Sequence, residues 1–127
     1  MCVSAYAVVL LIVSVVPVGA EPSVPYLDKI VHLGEYFFFA WLLAQALPPT
    51  LLVGGQAVPL SHVERETYLL WAWIYATSYG LLIELIQAMI PWRSADLADA
   101  AANALGAALG VLIGQKSLRR GNQNASV

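Results

Sequence analysis

Three long apolar runs in this chain keep their few ionisable side chains near one end each, and that placement narrows the folds open to it. Asp28, Lys29, His32 and Glu35 open one run; Glu84 and Gln87 close another; Arg93, Asp96, Asp99 and Asn103 open a third. A helix needs about 20 residues to cross the hydrocarbon layer, and each run is close to that length. Ionisable groups are costly there, so in a membrane protein they are a functional-site hypothesis by default. If the runs cross a bilayer in alternating directions, these residues gather at one face.

Composition agrees with a membrane setting. Of the 127 residues 60% are hydrophobic and 11% charged, against roughly 45–50% and 25% in a soluble domain. The length suits a single domain, residues 1–127. A net charge of −2 lacks the basic footprint of a nucleic-acid binder, so no nucleic-acid partner is expected. The one cysteine, Cys2, excludes an intramolecular disulfide and a multi-cysteine metal site, and reads as a buried or interfacial thiol.

The expected fold is all-α: four transmembrane helices in a compact bundle, near residues 3–18, 28–47, 67–90 and 96–114. The first carries no charge. Val18-Gly19-Ala20 before Glu21 resembles a signal-peptide cleavage site, but no Lys or Arg precedes the run, and a retained helix is favoured. Asp28 is a reasonable N-cap for the second helix, and Pro48-Pro49 ends it. The third stops at Pro91, and the charge of Asp96 suits the start of the fourth. Residues 48–66 read as a long loop, apolar enough in part to dip into the interface.

Lys and Arg in short loops set orientation. Arg65, Lys116, Arg119 and Arg120 lie on one side, Lys29 and Arg93 on the other, which favours both termini in the cytoplasm of a multi-pass cell-membrane protein. The polar residues then face outward. At 3.6 residues per turn Asp28, His32 and Glu35 share a helix face, as do Glu84 with Gln87, and Asp96 with Asp99 and Asn103. Along the fourth helix that face continues as Gly106, Gly110 and Gly114, a spacing that lets helix backbones approach closely; close packing is the simplest reading of it.

Plainer readings stand beside the functional ones. Asp28 and Asp96 could be helix caps, Lys29 could reach to lipid headgroups, and His32 could be a satisfied packing residue. Glu35, Glu84 and Asp99 lie deeper and must be paired, hydrogen-bonded or protonated. Arg93 is the best counter-charge, its planar fork suiting two carboxylates or a phosphate. The whole cluster could equally be ionic glue for the bundle.

Three blocks resemble the VanZ-like family of small bacterial membrane proteins: Asp28-Lys29-x-x-His32-x-x-x-Tyr36, Glu84-x-x-Gln87, and Arg93-x-x-Asp96-x-x-Asp99-x-x-x-Asn103-x-x-Gly106. The resemblance covers residues 28–114, with Gly34-Glu35 departing from the family's pattern. It implies a cell-envelope role and a link to low-level resistance to glycopeptide antibiotics, teicoplanin in particular. It implies no settled reaction.

Two main hypotheses follow. In the first, the pocket performs acid–base work on an envelope lipid or peptidoglycan precursor, with Glu84, Asp99 and His32 as catalytic groups. Asp28, Lys29, Gln87, Arg93, Asp96 and Asn103 would then bind the substrate. In the second, the same residues only bind a lipid-linked ligand or another membrane protein. A metal site of His32, Glu84, Asp96 and Asp99 lacks a spacing signature, and no cofactor is expected.

Overall fold

The computed structural model describes residues 2–16, 26–48, 50–92 and 96–124. Its helices are α1 (Cys2–Val15), α2 (Leu27–Gln45), α3 (His62–Gln87) and α4 (Leu97–Asn124). Two short strands, β1 (Thr50–Val53) and β2 (Gln56–Pro59), lie between α2 and α3.

The expected all-α architecture holds, with that hairpin as its addition. Residues 48–66 are not a long loop. Gly54 and Gly55 take φ of +58° and +82°, the left-handed pair that a two-residue hairpin turn requires, and Val53 pairs with Gln56 across it. Helix α3 then begins at His62 instead of residue 67, because Ser61 and Glu64 form a capping box. The Glu64 amide donates to Ser61 Oγ at 3.2 Å and the Ser61 amide to Glu64 Oε2 at 2.8 Å. A polar first turn, which reads as loop by hydropathy alone, is stabilised by satisfying donors that a helix start leaves orphaned.

Asp28 is not the cap of α2. Tyr26 occupies that position with φ 65° and no side-chain cap bond, and Asp28 falls in the first turn, where its charge still complements the helix dipole. Asp96 does cap α4: its Oδ1 accepts from the Ala98 amide at 2.9 Å. No proline follows Pro91, and α4 continues past Gly114 to Asn124.

Two helical stretches, His62–Gln87 and Leu97–Leu118, are by themselves long and apolar enough to cross a membrane. At 14 and 19 residues, α1 and α2 are shorter. Large apolar side chains face outward on all four helices, among them Ile12, Phe38, Trp71, Leu85, Leu105 and Ile113. An exterior so widely apolar is a poor fit to water and points to membrane association.

Helix α2 packs most extensively against α4. A Cβ on Gly106 would run into the Leu33 carbonyl oxygen, one on Gly110 into that of Phe37, and one on Gly114 would lie 2.6 Å from Ala44 Cβ. At Gly106 and Gly110 the glycine stripe is therefore a backbone-to-backbone seam, and at Gly114 it packs on a small side chain. Around it Leu10, Tyr36, Phe39, Ala40, Ala76, Ile83 and Ala107 form the core. Helix α1 lies along α3, held where Tyr79 donates to the Ala7 carbonyl at 2.6 Å and Gln87 to the Ser14 carbonyl at 3.1 Å. The start of α2, the end of α3 and the start of α4 consequently share one end of the molecule.

Candidate functional site

At that end the first turns of α2 and α4 are joined by a single ammonium. Lys29 Nζ donates to Asp96 Oδ2 at 2.8 Å and Asp99 Oδ1 at 3.0 Å on the α4 side, and to Asp28 Oδ2 at 3.1 Å on its own helix. An ammonium has three donors, and all three are engaged with the chain's own carboxylates. Asp96 uses both oxygens, one to cap α4 and one to receive Lys29. The Lys29 bond and the cap bond hold the Asp96 carboxyl below the ordinary carboxylate range.

One turn deeper, His32 Nδ1 lies 3.2 Å from Asn103 Oδ1, while its Nε2 faces Asp99 Oδ2 at 4.0 Å. Glu84 completes the group from α3: its Oε2 accepts from the Asp96 amide at 3.2 Å. A ring nitrogen of His32, a carboxylate oxygen of Glu84 and one of Asp99 all lie within 4.8 Å of one another. Glu84 is 6% exposed and Asn103 1%, so this layer is shut away from the surroundings.

Three buried polar atoms here have no hydrogen-bond partner among the described residues: Glu84 Oε1, Asn103 Nδ2 and the Tyr36 hydroxyl. Leaving such a group unpaired costs about 1–3 kcal/mol each, more when it is charged. Gly80 makes the room they occupy. A Cβ there would lie 3.0 Å from both Asn103 Nδ2 and the Tyr36 ring. The absent side chain at Gly80, one turn from Glu84, thus leaves the room that the Asn103 amide and the Tyr36 ring fill.

Asp28, Lys29, His32, Glu84, Asp96, Asp99 and Asn103 are thereby brought together. Gln87 is buried but turned away, its amide spent on the Ser14 carbonyl of α1. Arg93 lies outside the described residues. The Glu35 carboxylate has no hydrogen bond or ion pair among the described residues; the Glu35 contact is through its backbone carbonyl, which accepts from Tyr6 at 3.2 Å. Gly80 and the Tyr36 hydroxyl are site-forming groups that the spacing of charges does not reveal. A lone glycine inside a long apolar helix, one turn before a glutamate, is the signal in the sequence for Gly80, and the block Asp28-Lys29-x-x-His32-x-x-x-Tyr36 already contains Tyr36, without a role.

The VanZ/LLP1 family model matches residues 4–117. The chain belongs to the VanZ/LLP1 family. The matched stretch begins inside α1, so the first helix is part of the VanZ/LLP1 unit and not only residues 28–114. No curated protein and no solved structure matches the chain. In this VanZ/LLP1 protein the acids, imidazole and amide gathered at one end have the chemistry to bind an amine-bearing group, exchange protons, or coordinate a cation.

Proposed function

We propose that this VanZ/LLP1 protein is a multi-pass membrane protein of the cell envelope whose polar end faces away from the cytoplasm. There it engages the headgroup of an envelope lipid or a lipid-linked peptidoglycan precursor. The reading rests on one observation: Glu84 Oε1, Asn103 Nδ2 and the Tyr36 hydroxyl are buried without partners among the described residues, beneath an ion-paired rim. Unsatisfied groups of both hydrogen-bonding signs suit a ligand's polar group better than packing. Glu84, Asp99 and His32 would supply acid–base function, and Asn103 would orient the ligand. Because Lys29 is already held by three carboxylates, it would take a ligand anion only by exchanging one of them. Arg65, Lys116, Arg119 and Arg120 lie toward the opposite end in the chain, which supports a non-cytoplasmic site.

The test uses cells that make wild type, Glu84→Gln, Asp99→Asn or His32→Ala at equal membrane abundance. Teicoplanin susceptibility and envelope lipid co-purified with the protein are scored in the same cells. Loss of protection or of retained lipid at constant abundance is the expected result. Full retention of both in all three variants ends this reading.

A second reading has its own support. Lys29 ties α2 to α4 through Asp96 and Asp99, which is what ionic glue for a bundle looks like. It predicts that the same substitutions lower membrane abundance and change nothing else.

A further inference from the structure

We infer that His32, Glu84 and Asp99 form a binding site for a first-row divalent cation, of which Zn2+ is the best fit. The inference uses the same three side chains as the headgroup reading but gives them another role: with the cation bound they act as ligands and not as free acids or bases. One donor atom from each residue already sits within 4.8 Å of the other two, on three different helices. In a zinc site Zn–N and Zn–O distances are about 2.0–2.2 Å, which places ligand atoms about 3.3 Å apart. The 4.0 Å between His32 Nε2 and Asp99 Oδ2 is too long for a hydrogen bond and needs to close by under an ångström.

Each ligand is held by a partner that leaves its donor atom free. Asn103 Oδ1 accepts from the Nδ1 side of His32, which sets the tautomer whose Nε2 carries a lone pair. Lys29 takes Asp99 Oδ1 and leaves Oδ2 turned toward the imidazole. The Asp96 amide takes Glu84 Oε2, and Glu84 Oε1 is buried with no hydrogen-bond partner among the described residues. A carboxylate sealed from water and unpaired must take up a proton or find a partner, and a metal ion is a partner that lets it stay ionised.

Charge points the same way. Among the described residues the cluster holds four carboxylates, Asp28, Glu84, Asp96 and Asp99, against the Lys29 ammonium. A divalent cation offsets most of that excess. The mixed imidazole and carboxylate set favours Zn2+ over Mg2+ or Ca2+, which prefer all-oxygen shells. Three protein ligands leave a fourth position open, the pattern of zinc sites that also hold a water or a ligand oxygen.

The experiment uses the full chain purified in detergent without a histidine tag and stripped with EDTA. It is dialysed against buffered micromolar Zn2+, or Mg2+ in parallel, and bound metal is counted by plasma mass spectrometry. The wild type is expected to retain about one Zn2+ per chain, and Mg2+ at most weakly. His32→Ala, Glu84→Gln and Asp99→Asn each lose the ion with helical circular dichroism unchanged. Asn103→Ala weakens binding about 10–100-fold, as removal of a ligand's orienting partner does. Glu64→Gln, a carboxylate at the other end of α3, retains it. Should a variant fail to accumulate, X-ray absorption on the zinc-loaded wild type still decides, with one imidazole and carboxylate oxygens expected. A wild type that holds no more Zn2+ than His32→Ala overturns the inference, as does a sulfur-containing or imidazole-free shell.

Discussion

The α2–α4 contact is made in two ways along its length. At one end Lys29, His32, Asp96, Asp99 and Asn103 join the helices through charges and hydrogen bonds. Below that, Gly106 and Gly110 join them through bare backbone, and Gly114 meets the Ala44 side chain. At Gly106 and Gly110 the seam tolerates no added atom, because what stands opposite is main chain that cannot rotate aside. The polar end is built of side chains, which can re-pair, so its failures should be partial and dependent on what replaces each group. Close approach at the seam also explains how short reaches such as Asp99 and Asn103 meet α2 at all.

The sharpest way to break this contrast is at the seam. Gly110→Val should cost more than about 3 kcal/mol, the upper end of overpacking, and deplete the protein from the membrane. Normal abundance and an unchanged SDS-unfolding midpoint would show that the two helices are not in backbone contact. At the polar end, Lys29→Met removes the shared counter-charge of Asp99, whose side chain is only 11% exposed. Breaking a fully buried pair is strongly destabilising, and with Lys29 itself 26% exposed we expect a loss smaller than that of Gly110→Val. Lys29→Met with Asp99→Asn should recover part of that loss, which a double-mutant cycle in SDS unfolding would read.

Away from both, Ser61→Ala should cost about 1 kcal/mol by removing the capping box of α3, measured the same way. The smallest effect sharpens the rim. Asp96→Asn keeps a good cap but deletes the charge. The folded-state pKa of Asp96 is lowered, so its ion pair contributes fully at pH above the ordinary carboxylate value of about 4 and is lost as pH falls below it. The stability gap between wild type and Asp96→Asn should therefore be present at neutral pH and close under strong acid. A gap that widened with acid would contradict the Lys29–Asp96 pairing.

Much of the site is legible in the amino-acid order. Spacings of three and four on apolar runs put Asp28 with His32, Asp96 with Asp99 and Asn103, and alternating helix direction puts the runs' polar ends together. Helix starts are less legible. Asp28 resembles an N-cap by residue type, yet Tyr26 takes that position; and Ser61-His62-Val63-Glu64 sits in a polar stretch whose helicity comes from reciprocal capping, not from hydropathy. The glycine pair at 54–55 reads as loop, although a two-residue turn between short strands is equally open to it. Gln87 shows the opposite limit: its position at the polar end is right, but its amide faces α1.

What the amino-acid order determined by itself is the number of helices, their apolar exteriors and where the polar cluster falls on three of them: the start of the second and fourth and the end of the third. Which carboxylate receives Lys29, which imidazole nitrogen is left for a ligand, and that Glu84 Oε1 ends without a partner were decided only in three dimensions. Those outcomes depend on how helices from distant parts of the chain rotate and slide against one another. That adjustment is set by backbone contact at the glycines and by the space left at Gly80, and no spacing along a single helix encodes it.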